Sequence, residues 1–316
     1  MKIAMLESIA VSEELLRALA KPIEDLGHSI ELCTSAISDD EKARRIKDAD
    51  AIIIANSPLP EGLVESAEQL KMISVAFTGV DHVPKSVCIN RNVTVCNAQG
   101  YATTAVRDLV FGMIFACLRN LVPCDKVTRA GGTKDGLVGE ELEGKTLGII
   151  GYGAIGQSVA KAAKAFDCHV LAYSRKAIPG SEDGIVQYAS FEDIITKSDI
   201  ISMHVPLTED TRDMIGAAEL AKMKPSAILI NAARGDVVNA AALRDALNQG
   251  VIRSAGIDVF TIEPPLESTE PMLWAKNTVL APHIGFATKE SMVKRAKIVF
   301  ENITAWLDGK PQNVKF

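Results

Sequence analysis

Leu147-Gly148-Ile149-Ile150-Gly151-Tyr152-Gly153-Ala154-Ile155-Gly156 is the stretch on which the fold turns. Leu147-Gly148-Ile149-Ile150 reads as a buried strand, and the glycine turn follows at once. Gln157–Phe166 then has a helical pattern, and His169–Tyr173 reads as the next strand. GxGxxG alone is a weak signal; between a strand and a helix, with a second strand beyond, it is a strong one. Gly151 permits the tight turn, Gly153 lets a pyrophosphate approach the backbone, and Gly156 lets helix and strand pack closely. Ala154 and Ile155 lie at the opening of the helix, where free N–H groups and a partial positive charge favour phosphate. The stretch predicts a dinucleotide site.

Outward from this turn, short apolar runs alternate with helical patterns. On the N-terminal side the candidate strands are Lys2–Leu6, Ser29–Cys33, Ala51–Ala55, Met72–Ala76 and Val93–Cys96, separated by amphipathic stretches such as Ser12–Ala20 and Asp39–Lys47. On the C-terminal side they are Thr146–Ile150, His169–Tyr173, Ile200–His204, Ala227–Asn231, Ser254–Asp258 and Thr278–Ala281. This alternation predicts an α/β chain with two doubly wound parallel-sheet domains, the second a Rossmann dinucleotide-binding domain. A helix over Thr103–Arg119 joins the two series, residues 129–136 read as loop, and Lys289–Leu307 reads as the last helix.

Composition narrows the function classes. A chain of 316 residues with 47% hydrophobic and 23% charged residues is ordinary for a two-domain globular protein. The net charge of −6 and the lack of a basic patch argue against nucleic acid as a partner. The longest apolar run, Leu109 to Leu118, falls well short of the ~20 residues that span a bilayer, so no membrane association is expected. Glu7 arrives too early for a secretory leader, and six cysteines without metal-ligand spacing suggest reduced thiols, no metal and a cytoplasmic protein. Only 31 residues follow Gly285, so no C-terminal regulatory domain is expected.

The strand after the glycine turn bears on cofactor choice. An acid ~20 residues beyond the turn binds the ribose 2′-hydroxyl of NAD. Here Tyr173 is followed by Ser174-Arg175-Lys176, and the next acids are Glu182 and Asp183. A hydroxyl and a forked cation suit a 2′-phosphate, which predicts NADP in preference to NAD. The opposing reading makes Arg175 a solvated cation, or one stacked on adenine while NAD binds.

Ligands of open α/β sheets sit beyond the carboxyl ends of the strands. Three charged residues fall just past such ends: Arg234 after Asn231-Ala232-Ala233, Glu263 after Asp258-Val259-Phe260, and His283 after Ala281-Pro282. Arg can hold a carboxylate through two hydrogen bonds and polarise the adjacent carbonyl. His can give and retake a proton, and a neighbouring Glu orients its ring and favours its charged form. Singly, each has a bland reading as a cap, a solvated loop acid or a structural imidazole. Their shared placement points to reduction of a 2-keto acid.

With these residues in hand, the chain resembles the D-isomer-specific 2-hydroxyacid dehydrogenase family. The matching segments are Gly151–Gly156, His204-Val205-Pro206-Leu207-Thr208 with Thr211, and Asn231-Ala232-Ala233-Arg234-Gly235. Further matches are Gly256-Ile257-Asp258-Val259-Phe260 with Glu263-Pro264, Pro282-His283-Ile284-Gly285 and Thr78-Gly79-Val80-Asp81. The resemblance implies His283 as acid/base, Glu263 as its partner and Arg234 as substrate clamp. It implies substrate-carboxylate binding at Thr78, Gly79 and Val80, and nicotinamide contact at Asp258. Val205, Pro206, Thr211, Ala232 and Ala233 would line the cofactor. It also implies a discontinuous substrate domain (1–100 plus 286–316), a dinucleotide domain (101–285), a cleft site closed by domain motion, and a homodimer.

Departures from the family pattern are Val106-Arg107-Asp108, which leaves Arg107 without a role; the loop 129–139, which puts the local dimer contact in doubt; Ser174-Arg175; and Phe286, which is expected to narrow the pocket. Ser57-Pro58-Leu59-Pro60 and Phe77-Thr78-Gly79 are read as pocket wall. They offer no cation for a second phosphate, so glyoxylate, hydroxypyruvate, pyruvate or a branched analogue fits better than phosphoglycerate. Two other readings stand beside this one: a nucleotide-sensing corepressor on the same fold, and a phosphite- or formate-type dehydrogenase. Glu263 argues against the formate type, which pairs its His with Gln.

Overall fold

The computed structural model describes residues 1–263 and 265–316, in two compact units: 1–102 with 286–316, and 103–285. The first unit begins β1 (Lys2–Met5), α1 (Glu13–Asp25), β2 (Ser29–Glu31), α2 (Asp39–Lys47) and β3 (Ala51–Ile54). It continues α3 (Glu61–Ser66), β4 (Met72–Val75), α4 (Lys85–Asn90) and β5 (Thr94–Asn97). The second unit runs α5 (Thr103–Leu118), α6 (Leu121–Arg129), β6 (Thr146–Ile150), α7 (Ala154–Ala165), β7 (His169–Tyr173), β8 (Gln187–Tyr188) and α8 (Phe191–Lys197). It is completed by β9 (Ile200–Met203), α9 (Ala217–Lys222), β10 (Ile228–Asn231), α10 (Ala240–Gln249), β11 (Ser254–Ile257) and β12 (Thr278–Leu280). The last helix, α11 (Lys289–Leu307), belongs to the first unit.

Both sheets are parallel throughout. The first has strand order β2-β1-β3-β4-β5, and the second β12-β11-β10-β9-β6-β7-β8. All four residues of β3, β4, β9, β10 and β11 are buried, as central strands with helices on both faces require. Helix starts follow side-chain chemistry. Ser12, Ser38, Ser190, Asn239 and Thr288 each accept a backbone N–H of the first turn.

Several elements differ from the sequence reading: α1 runs on to Asp25, β2 stops at Glu31, and three others have a readable cause. Helix α7 starts at Ala154 instead of Gln157, because Gly153 is its N-cap and Ala154-Ile155-Gly156 form the first turn. Helix α6 was not expected, and it takes Arg129 out of the loop. It buries none of its residues. Its Pro123 sits in the first turn, where a missing N–H costs little. Strand β8 has only two residues, too few to show a period.

Candidate active site

The glycine turn is fixed by close packing. Gly151 has φ +99, and a Cβ there would lie 2.5 Å from the His204 carbonyl oxygen. A Cβ on Gly156 would lie 2.3 Å from the Gly151 oxygen. Gly153 differs: nothing lies within 4 Å of where its Cβ would be. Packing therefore demands glycine at 151 and 156, while at 153 it leaves open space in front of the N-terminus of α7. That space, with no side chain capping α7, fits a pyrophosphate. The same approach brings Val205 and Pro206 beside the turn, through His204 N–H donating to the Ile150 oxygen at 2.7 Å. Thr211 is buried and braces that loop: its hydroxyl donates to the Pro206 oxygen at 2.7 Å and accepts the Thr208 N–H at 2.8 Å.

At the end of β7, Ser174 is partly buried and Arg175 exposed. Arg175 Nη1 stands 3.3 Å from an Asp210 carboxylate oxygen, with 70% and 78% of the two side chains exposed.

The loops after β10, β11 and β12 are tied together. Asn231 Nδ2 donates to the Arg234 carbonyl at 2.8 Å, and its Oδ1 accepts the Ala233 N–H at 3.1 Å, shaping the turn that carries Ala232, Ala233 and Arg234. Arg234 Nη1 also donates to the Ala233 oxygen at 2.7 Å. Gly235 lies so close to Phe260 that a Cβ would meet its carbonyl carbon at 2.1 Å, which pins this turn to the loop after β11. That loop carries Glu263, whose Oε2 lies 2.9 Å from His283 Nδ1. The His283 side chain is 19% exposed and Glu263 46%.

Asp258 organises the third loop. It is 1% exposed, and its carboxylate accepts the N–H of Ile284 (Oδ1, 2.8 Å) and of Gly285 (Oδ2, 2.8 Å). Its carbonyl accepts the His283 N–H at 2.8 Å. Those three bonds hold His283 at φ +55, a left-handed conformation uncommon for a non-glycine residue. Burial raises the Asp258 pKa, and the two backbone donors and His283 oppose the rise. Sequence reading gave Asp258 a nicotinamide contact and missed this bracing of His283; an acid at a strand end beside the motif was the available signal.

Two of the other histidines have local partners for their side chains. His28 Nδ1 stands 3.1 Å from the N-terminal amine, and His204 Nε2 2.9 Å from the Ser202 hydroxyl. Arg107 pairs with Asp108 at 2.7 Å. In the first unit, Thr78 is exposed and Gly79 and Val80 are partly buried. Asn97 Nδ2 donates to the Thr78 oxygen at 2.5 Å, and Val83 N–H to the Val80 oxygen at 3.0 Å. Among the described residues no acceptor faces the N–H groups of Gly79 and Val80. Phe286 packs edge-on to Phe77, with ring centroids 5.0 Å apart.

A family profile described as D-isomer specific 2-hydroxyacid dehydrogenase, NAD binding domain, matches residues 111–285. The chain is 41% identical over 281 residues to a glyoxylate reductase of Thermococcus litoralis, covering 85% of this chain and 84% of that one. It is 40% identical over 297 residues to a glycerate dehydrogenase of Methylorubrum extorquens, covering 91% and 92%. An acyclic imino acid reductase solved with NADPH and D-Arg superposes with a TM-score of 0.90 at 28% identity, over 100% of both chains.

Proposed function

The chain belongs to the D-isomer-specific 2-hydroxyacid dehydrogenase family, and on that premise we propose that it reduces a small 2-keto acid of the glyoxylate, hydroxypyruvate or pyruvate kind to the D-2-hydroxyacid. The observation that carries the reading is the 2.9 Å contact between His283 and Glu263, on two loops that Asp258 and Gly235 help fix. Glu263 takes the Nδ1 proton of His283 in a hydrogen bond, which leaves Nε2 to face the substrate oxygen. When bound, a reduced nicotinamide would supply the hydride, with its electron pair, that the keto carbon needs. His283 passes its proton to the carbonyl oxygen, so the product leaves as the neutral alcohol and the imidazole as its neutral form. Arg234 steadies the charge that builds on that oxygen and grips the substrate carboxylate. In the first unit, the N–H groups of Gly79 and Val80, next to Thr78, hold the carboxylate. On this reading residues 1–102 with 286–316 are the substrate domain.

The proposal extends to cofactor preference. Ser174 and Arg175 stand where an acid would bind the 2′-hydroxyl of NAD, so NADP(H) is the preferred partner. The exposed pair with Asp210 is weak, about 0–1 kcal/mol, and a 2′-phosphate can displace it. Val205, Pro206, Thr211, Ala232 and Ala233 line the remaining cofactor surface, and Asp258 faces the nicotinamide amide. A homodimer and a cytoplasmic location complete the proposal; sedimentation and cell fractionation test them.

The deciding experiment is a panel of 2-keto acids assayed with NADPH and with NADH. Turnover of glyoxylate or hydroxypyruvate, faster with NADPH, is expected. No turnover with any keto acid would reject the enzymatic reading in favour of a nucleotide-sensing role. His283→Ala should lower turnover about 10²–10⁴-fold while the cofactor still binds; a variant that keeps its rate removes His283 from the mechanism.

A further inference from the structure

The glycine turn is fastened to more than its own helix. Gly151 N–H donates to the Tyr173 carbonyl at 3.0 Å, which joins the turn to the last residue of β7. The chain then leaves β7 through Ser174-Arg175-Lys176 and returns to β8 at Gln187. The returning arm is a tight hairpin. Gly180 N–H donates to the Tyr188 oxygen at 2.6 Å, Tyr188 N–H donates to the Ser181 oxygen at 2.7 Å, and Glu182 bridges to Gln187. At the hairpin tip, Asp183 Oδ1 accepts the N–H of Ile185 at 3.0 Å and of Val186 at 2.9 Å.

The same carboxylate meets two tyrosines. The Tyr188 hydroxyl donates to Asp183 Oδ2 at 3.3 Å, and the Tyr152 hydroxyl also hydrogen-bonds the carboxylate. The two rings pack edge to face, with centroids 5.6 Å apart and planes at 87°. Burial first, and then Asp183, push the Tyr152 phenol upward, so it stays a protonated donor. Two N–H groups and two hydroxyls use the roughly four acceptor positions of a carboxylate. Asp183 is therefore spent within the protein and is not an acid left over for a ribose hydroxyl. Tyr188 belongs to the hairpin itself, whereas Tyr152 stands between Gly151 and Gly153. Its bond fastens the loop 174–186 to the glycine turn at a second point, and all of these groups lie in the second unit.

Resting on the reading of that turn as a dinucleotide site, we propose that Tyr152 is a positioning residue for the adenosine half of the cofactor. Through Asp183 it holds the loop 174–186 against the turn. Ser174 and Arg175, at the strand end where the ribose of a dinucleotide is bound, are then in place before the nucleotide arrives. A wall already in place costs less to order on binding, so the tie raises affinity for NADH and NADPH alike.

The test is a calorimetric titration of the whole chain with NADH and with NADPH, in the absence of keto acid, on the wild type, Tyr152→Phe and Tyr188→Phe. Tyr152→Phe keeps the ring and removes only the hydroxyl. It should weaken both nucleotides about three- to tenfold, through one lost hydrogen bond and the loop order it carries. Tyr188→Phe takes a hydroxyl from the same carboxylate but leaves the tie to the turn, and its dissociation constants should stay within about twofold of wild type. Similar melting temperatures for the two variants, with unequal affinities, support the positioning role. Where glyoxylate is turned over, Y152F should raise the KM for the nucleotide and leave kcat near that of the wild type. Wild-type affinity in Y152F, or equal weakening by Y152F and Y188F, overturns this inference alone. Wild-type protein that binds neither nucleotide overturns the dinucleotide reading and this inference together.

Discussion

At the scale of single residues, the candidate chemistry depends on side chains that shape other side chains. Asp258 is the clearest case. Both of its oxygens are engaged by backbone N–H groups of the loop that presents His283. Asp258→Asn keeps the size but turns one acceptor into a donor facing an N–H. Leaving that buried N–H unsatisfied costs about 1–3 kcal/mol. The expected result is a lower melting temperature and a fall in kcat larger than any change in KM, since the imidazole is misplaced and Arg234 is left untouched. Steady-state kinetics and a thermal melt on the variant check this; an unchanged kcat would mean that the loop holds His283 without Asp258. The charged residues past the strand ends were legible because position at a strand end is a sequence property. Arg295 was not read, nor was the turn-shaping role of Asn231, although an arginine in the inward register of α11 was a visible signal. An inward cation is informative only once its neighbours from distant segments, here Ile9, Tyr101 and Phe286, are known.

At the scale of elements, the strand–turn–helix at β6 and α7 was readable because each glycine answers a local demand. Gly156 makes the point quantitatively. An alanine Cβ would stand 2.3 Å from the Gly151 carbonyl oxygen, which is backbone and cannot swing aside. Gly156→Ala should therefore push α7 off β6, cost about 1–3 kcal/mol and weaken nucleotide affinity. A melt and a nucleotide titration measure both; wild-type affinity would detach the turn from cofactor binding. The end of β7 allows a second test. Arg175→Asp should weaken NADPH far more than NADH, and Asp210→Asn, by releasing Arg175, should tighten NADPH. Equal effects on the two nucleotides would remove the cofactor preference. Helix α6 and strand β8 escaped sequence reading for different reasons. The helix carries Pro123 in its first turn, where a proline reads as an interruption, and the strand is two residues long.

At the scale of the whole molecule, the alternation of apolar runs and amphipathic helices specifies two parallel sheets because a strand buried on both faces must be nearly all apolar. The return of α11 to the first unit is the part that no local pattern encodes. Its buried face, from Ser291 to Ile303, fits any sheet face, and partner choice is a property of the assembled core. Global stability carries a pH signature from the second unit. Burial pushes the His204 imidazole from an ordinary 6.5 down to about 4, beside the Ser202 hydroxyl. The unfolded chain therefore binds that proton more tightly than the folded one. Above pH 6.5 the ring is neutral in both states and contributes no slope. As pH falls from 6.5 towards about 4, unfolding takes up a proton and stability is lost; below about 4 both states are charged and the loss stops growing. Denaturant midpoints measured across that window should fall for the wild-type protein. The fall should be shallower in His204→Gln, which removes the titrating group, while carboxylates titrate in both proteins alike. Parallel curves for the two would show that His204 is free to take up its proton in the folded state.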